Sequence, residues 1–448
     1  MGKLRFYTAL ILSHIIYFTI KILSKSSGTS FVGMSAMKIC PNFLKYCRDY
    51  VKNGNAVTIT GTNGKTTTSG FLAHILKVGQ NTVLHNAKGA NMIQGIANTF
   101  ALNINPLNKF DYAVIETDEA YLTKLYDYFL ADSLIVTNLY RDQLDRYGEL
   151  ATTAGFIQNA IDKNPNLTLV LNADDPLVSN YGKSNVSNIK YFGFEEVEYF
   201  AQNQNTASCA PTEIYNCICH NPLIYTKQFF AQEGHYSCEH CGYKRPEPDY
   251  KGYAKIYNNY TELRIENEGK SYDFRVNLIG LYNAYNALAA ISQALIFGID
   301  YEKIKPAAES YKPVFGRAEH RVINGHNTLI QLIKNPTGAS EVLKTVDLTS
   351  NIVIALNDDY ADGRDMSWLW DTDFELLKNV QNPIITTGIR AKDMAVRLKY
   401  AGITSDRIII QQDLRKAVEL AASSNNPEQN VTILPSYTAL LKITKMKF

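Results

Sequence analysis

The residues with the clearest chemical purpose form the run Thr60-Gly61-Thr62-Asn63-Gly64-Lys65-Thr66-Thr67. Small residues there let backbone N–H groups curl round a phosphate, a following helix adds positive potential, Lys65 meets the terminal phosphates, and Thr66 offers a hydroxyl to Mg²⁺. Ile59 stands where the first glycine of G-x-x-x-x-G-K-[ST] belongs, so the loop is a shorter relative of that motif. A second set is sulfur: Cys209, Cys217, Cys219, Cys238 and Cys241 crowd together among the seven cysteines. Cys238 and Cys241 make a C-x-x-C knuckle eased by Gly242, and with Cys217 and Cys219 they offer four thiolates to structural Zn²⁺; Cys209 and His220 are alternative ligands. Four protein ligands leave no position for water or substrate, so no catalysis is expected there. The third set is carboxylates: Glu116 ends the apolar run Tyr112 to Glu116, and Asp362, Asp365, Asp371 and Asp373 follow another such run.

These groups need elements to place them. Val57 to Thr60 reads as a β-branched strand, and Thr66 to Val78 carries Phe71, Leu72, Ile75 and Leu76 at helical spacing. Further buried strands are expected at Tyr112 to Glu116, Ser133 to Thr137 and Leu167 to Leu171, with helices between them, which predicts a parallel α/β sheet with ligand groups at the strand ends. From about residue 200 to 250 cysteines, prolines and tyrosines break the pattern, which reads as an insertion, and Asn283 to Phe297 resumes as an apolar helix. A second α/β alternation follows Arg317, with strands near Thr328 to Ile333, Asn351 to Leu356, Pro383 to Thr387, Arg407 to Ile410 and Val431 to Leu434. The boundaries expected are an N-terminal segment over 1–50, a central domain over 51–315 with the cysteine lobe inserted at 205–250, and a C-terminal α/β domain over 316–448.

With 448 residues the chain exceeds what one core organises, in keeping with that division. A net charge of +2 gives no global basic field and argues against nucleic acid as the main partner. Cysteines clustered rather than spread suggest a metal site in a reducing compartment, hence a cytoplasmic location. Phe6 to Leu23 is strongly apolar after Lys3 and Arg5, yet no small-residue cleavage site follows, and the run contains His14 and Lys21. It reads as a helix packed on the protein or lying at a membrane surface.

Taken in order, the motifs resemble those of Mur ligases: the TGTNGKT loop, Glu116 before Thr117-Asp118-Glu119, Thr137-Asn138 with Asp142-Gln143-Leu144-Asp145-Arg146-Tyr147-Gly148, and Asn172-Ala173-Asp174-Asp175-Pro176. Gly280-Leu281-Tyr282-Asn283-Ala284-Tyr285-Asn286 and Phe315-Gly316-Arg317-Ala318-Glu319 continue the series. The resemblance implies a Mur ligase-like ATP-binding central domain with an inserted zinc-ribbon-like lobe and a Rossmann-like C-terminal domain. ATP would contact Gly61, Thr62, Asn63, Gly64, Lys65, Thr66, Thr67, Asn283, Asn286 and Arg317, with Mg²⁺ on Thr66 and Glu116. Departures are Gln143 and Tyr282 where histidines are usual, Ile157 and Gln158 where a carbamylated lysine is frequent, and Gln331-Leu332-Ile333-Lys334-Asn335-Pro336 in place of an aspartate-led segment.

Such losses suit an ammonia nucleophile supplied from elsewhere, and they narrow the resemblance to the MurT branch. The cysteine lobe and the segment from Leu356 to Asp371, with Ala361-Asp362-Gly363-Arg364-Asp365 and Ser367-Trp368-Leu369-Trp370-Asp371, are similar to that branch. The branch implies a carbon–nitrogen ligase that amidates the α-carboxylate of D-isoglutamate in lipid II, taking ammonia from a glutaminase subunit, GatD. The catalytic set would be Lys65, Glu116 and Asp365, the last completing a Cys-His-Asp triad across the subunit interface. Zn²⁺ would fall to Cys217, Cys219, Cys238 and Cys241, because Asn216 occupies the place of one cysteine usual in the branch. Trp368 and Trp370 would anchor the interface or lie in the core. The competing expectations are a stand-alone ligase adding an amino acid, and a nucleotide-binding scaffold without catalysis.

Overall fold

The computed structural model describes residues 2–23, 29–87, 90–141, 150–200, 216–257, 259–312, 317–424, 426, 428–446 and 448. Three helices open the chain, α1 (Gly2–Leu23), α2 (Thr29–Ile39) and α3 (Phe43–Cys47). Among the described residues no helix is long and apolar enough to cross a membrane.

A large sheet follows, comprising β1 (Ala56–Thr60), β2 (Val83–His85), β3 (Tyr112–Glu116), β4 (Ser133–Val136), β5 (Thr168–Asn172) and β6 (Asn188–Tyr199). The separate hairpin of β7 (Ile224–Phe230) and β8 (Glu233–Ser237) interrupts it before β9 (Tyr250–Ile256), β10 (Thr261–Asn267) and β11 (Lys270–Val276). The nine strands run in the order β11-β10-β9-β6-β5-β4-β1-β3-β2, parallel from β2 through to β9 and antiparallel beyond. The closing antiparallel meander is additional to the expected strands: charged and apolar residues alternate on β10 and β11, as in a half-buried sheet, without the continuous apolar runs of the parallel strands.

β1, β3 and β4 are buried from end to end because helices cover both faces, as a parallel sheet requires. On one face α4 (Lys65–Val78) and the helix Leu281–Ile296 pack Phe71, Leu72, Ile75, Leu288 and Ile291. On the other lie α1 to α3 and α5 (Ile93–Asn103), whose Phe100 meets Phe129 and Leu134 in one core. β1 sits between β3 and β4, so the loops leaving all three strands open onto one edge, where the connections diverge to opposite sides.

The second sheet holds β12 (Arg317–Ile323), β13 (His326–Gln331), β14 (Asn351–Ala355), β15 (Ile384–Thr387), β16 (Ile408–Ile410) and β17 (Val431–Pro435), in the order β12-β13-β17-β14-β15-β16. All pairs are parallel except β12 with β13. The five expected strands are present to within a residue or two, and β12 is the addition. Its charged sequence and edge position leave it little apolar signal to read.

Candidate active site

The loop between β1 and α4 is shaped by two glycines in left-handed backbone, Gly61 at φ 121° and Gly64 at φ 86°. A side chain could not replace either hydrogen: a Cβ on Gly61 would lie 2.3 Å from Thr137 Oγ1, and one on Gly64 would lie 1.9 Å from Asn286 Oδ1. The neighbouring strand end holds the loop in place. Asn63 N donates to Asn138 Oδ1 at 2.8 Å, Thr62 N to Asn138 O at 2.9 Å, and Thr137 Oγ1 to Asn63 O at 2.7 Å. Asn283 and Asn286 are buried together at the start of their helix, with Asn286 Nδ2 donating to Asn283 Oδ1 at 3.2 Å.

Lys65 folds back into this loop, donating to Thr62 O at 3.3 Å and pairing with Glu119 Oε1 at 2.9 Å. Burial pulls its pKa down, but the charges of Glu119, Asp118 and Glu116 outweigh that, and the net direction is up. Lys65 is therefore a fixed ammonium, suited to meeting an anion and unsuited to acting as a base. Glu116 is buried at the end of β3, with Asn91 Nδ2 donating to its Oε1 at 3.2 Å. Reciprocal bonds between its backbone and the Asn86 side chain, at 2.7 and 2.8 Å, pin the strand end. A buried carboxylate and the Thr66 hydroxyl at the start of α4 are hard oxygen donors beside the phosphate loop, so the residues present fit Mg²⁺.

The second sheet closes the opposite wall. Asn335 caps the helix Pro336–Lys344 and exchanges amide bonds with Asn63, at 3.3 Å in one direction and 3.0 Å in the other. Lys334 Nζ reaches Thr62 O at 3.3 Å. A cleft between the two sheets is lined by Gly64, Thr67, Asn286, Tyr282, Lys334 and Glu341. Asn138, Glu119 and the Asn63–Asn335 pair were not singled out from sequence: Asn138 and Glu119 lie within quoted motifs, but only folding shows their contacts. Arg317 begins β12, while its side chain and the segment from Asp142 to Gly148 lie outside the described residues. Gln158 is placed, on the helix Leu150–Asp162, where its amide nitrogen donates to Asp162 Oδ1 and Ser184 Oγ. Ile157 is buried beside it.

The Asp174-Asp175 pair secures the site from behind. Asp175 accepts from Leu139 N, Leu177 N and Val178 N, and burial raises its carboxyl from 3.8 to about 6 against those bonds. Asp174 holds Arg245 at 2.6 Å and Tyr285 Oη at 2.7 Å, tying the end of the cysteine lobe to the central sheet.

In that lobe the sulfurs of Cys217, Cys219, Cys238 and Cys241 all lie within 4.8 Å of one another. The Cys217–Cys241 and Cys219–Cys238 pairs are each 3.5 Å apart, close to the roughly 3.8 Å edge of a tetrahedron of thiolates about Zn²⁺. Two matching turns produce this. Gly242 at φ 73° donates its N–H to Cys238 O, and His220 at φ 64° donates its N–H to Cys217 O, so His220 does in one turn what glycine does in the other. His220 is exposed and stands outside the sulfur group, and Cys209 lies outside the described residues.

Asp365 sits in the loop between β14 and the turn Ser367–Asp371, half-buried, its Oδ1 accepting from Ser367 N at 2.8 Å. That bond, with the Ser367 side chain, holds the carboxylate below its usual range. Asp362 does different work, accepting from Thr438 N at 2.7 Å at the start of the helix Tyr437–Lys445. Trp368 packs against the core of the second sheet, whereas Trp370 is 54% exposed and lies edge-on to the exposed Tyr400. Asp371 faces Arg141 of the central unit at 3.7 Å.

The cleft between the sheets, the phosphate loop and the strand-end acid define the chain as a Mur ligase-type enzyme. The sequence model of the Mur ligase middle domain matches residues 59–294, and that of the MurT ligase C-terminal domain matches residues 332–440. A pseudomurein peptide ligase type C from Methanothermus fervidus shares the fold at a TM-score of 0.65 and 23% identity, over 87% of this chain and 79% of that one. Two relatives are named lipid II isoglutaminyl synthase (glutamine-hydrolyzing) subunit MurT. The one from Streptococcus pneumoniae is 36% identical over 94% of this chain and 92% of its own, and the one from Staphylococcus aureus is 35% identical over 92% and 91%. The chain belongs to the MurT family of ligases. Membership implies ATP and Mg²⁺, and because the relatives are named as subunits it also implies a partner.

Proposed function

We propose that this chain amidates the α-carboxylate of D-isoglutamate in the lipid II stem peptide, using ATP and ammonia released from glutamine by a GatD-type glutaminase subunit. ATP would bind between the central domain, 51–315, and the C-terminal domain, 316–448. One oxygen of the substrate carboxylate attacks the γ-phosphorus, the bond to the β-phosphate oxygen breaks, and ADP leaves. Ammonia then adds to the acyl phosphate carbon, phosphate departs with the substrate oxygen, and the nitrogen loses a proton to give the amide. Lys65 and the loop N–H groups neutralise charge building on the transferred group, and Arg317 is proposed to join them. Thr66 and Glu116 would hold Mg²⁺, which when bound would supply positive charge against the phosphates.

The observation that carries this reading is the Lys65 ammonium fixed inside the glycine loop beside the strand-end acids. In the C-terminal unit, the half-buried, ionised Asp365 suits the third member of a Cys-His-Asp triad, fixing the tautomer of a partner histidine. Zn²⁺ on Cys217, Cys219, Cys238 and Cys241 would hold the lobe in shape and take no part in the reaction. Co-expression with the glutaminase, followed by mass spectrometry of the muropeptide, tests the whole: amide must form only with ATP plus glutamine or ammonium. Formation without ATP would refute it.

A further inference from the structure

α1 is apolar on two opposite sides, and the body of the protein covers one of them. Phe6, Ala9, Leu10 and Ser13 face inward, with Phe6 stacked on Tyr50 at 5.6 Å and against Phe43 at 5.2 Å. Leu4, Ile11, Ile15, Phe18 and Ile22 face outward, with exposures of 72, 63, 55, 62 and 78%. At helical spacing these five fall within an arc of roughly 60°. Phe31 and Met34 of α2 extend the apolar surface. A contiguous face of such large side chains marks an interaction surface.

The charge around it selects the occupant. No Asp or Glu precedes Asp49, whereas Lys3, Arg5, Lys21, Lys25, Lys38 and Lys45 all do. Lys3 and Lys21 fall on one flank of the outward stripe and Arg5 on the other, each about 100° from its centre. Apolar side chains between two flanks of cations match acyl chains beneath anionic headgroups. We propose that α1 lies in the plane of an anionic bilayer surface, its Leu4-to-Ile22 stripe among the acyl chains and Lys3, Arg5 and Lys21 at the lipid phosphates.

The inner contacts connect this face to the active site. Gly33 of α2 packs so closely on α5 that a Cβ would lie 1.8 Å from the Gln94 carbonyl oxygen. Just before α5, Asn91 donates to Glu116. Docking therefore holds the catalytic edge at a set height above the bilayer, which suits a carboxylate on a lipid-linked headgroup; that consequence alone rests on the proposed function.

The test is flotation of the full chain, with its partner, on vesicles of equimolar phosphatidylglycerol and phosphatidylcholine, against phosphatidylcholine alone. The expected result is capture by the anionic vesicles only, reduced by salt, and reduced at least about tenfold by the double substitution Ile15→Asp, Phe18→Asp. Failure of the parent to float, equal capture by both vesicle types, or equal capture of the double variant would overturn the proposal. So would a dimer that the double variant splits, which would give the face to a second copy of the chain. Should the double variant fail to fold, Phe18→Trp decides: its emission must shift to the blue and be quenched by lipids brominated in the acyl chains, and an unchanged spectrum overturns the proposal. Binding is read without turnover, so amidation that persists while flotation fails sinks this inference and leaves the proposed function standing.

Discussion

The loop around Lys65 and the loop around Asp365 both follow a buried parallel strand, yet one is enclosed by its own chain and the other lies partly open to solvent. Lys65 is enclosed, paired with Glu119, and surrounded by strand ends and a helix start from its own chain. Asp365 is half-exposed, oriented by Ser367 and flanked by the exposed Trp370. Under the proposed function the first loop handles phosphate within this chain, and the second is where a partner subunit would complete the nitrogen-supplying site.

The largest effect should come from the enclosed site. Lys65→Ala should lower amidation by about a thousandfold or more with glutamine and ammonium alike, measured as product by mass spectrometry. Loss with glutamine only would dissolve the contrast between the two loops. Asp365→Asn sharpens it from the other side: glutamine-driven amidation should fall by about a hundredfold or more while ammonium-driven amidation stays within about twofold. Equal loss of both would remove Asp365 from the triad.

A smaller effect is expected where the two units meet. Asn335→Ala removes both amide bonds to Asn63 and should raise the KM for ATP or lower kcat by about tenfold in total, read from steady-state rates with ammonium. No change would mean that the pair does not shape the nucleotide cleft. The smallest concerns the rivet behind the site. Asp175 binds its proton more tightly folded than unfolded, so its contribution to stability is present below its unfolded value of 3.8 and is lost as pH rises to about 6. Across that window Asp175→Asn should lack this decline, a difference on the order of 1–3 kcal/mol in urea titrations. Parallel pH profiles for the two proteins would contradict it.

The contrast also explains what could be read in advance. The phosphate loop is legible because its chemistry lies in consecutive residues, with glycines marking the positive-φ positions. Its walls are not, since Asn63 and Asn335 are 272 residues apart, and the two quoted segments that hold them say nothing of their meeting. The four thiols could be grouped from their spacing, but the choice between Cys217 and His220 turns on a backbone detail, the left-handed His220. β12 and the meander from β9 to β11 escaped because they lack the continuous apolar runs that mark the buried parallel strands; the meander's signal is instead the alternation of a half-buried sheet. Asp365 is singled out only through resemblance, because a carboxylate proposed to act in a partner's site has little to distinguish it within its own chain.

The central claim is that the γ-phosphoryl group is handed to the substrate's carboxylate. Substrate carrying heavy oxygen in that carboxylate, turned over with ATP and glutamine, tests it most directly by mass spectrometry of the released phosphate. One labelled oxygen should appear in phosphate for every amide formed. Unlabelled phosphate, with amide accumulating at the normal rate, would contradict the account.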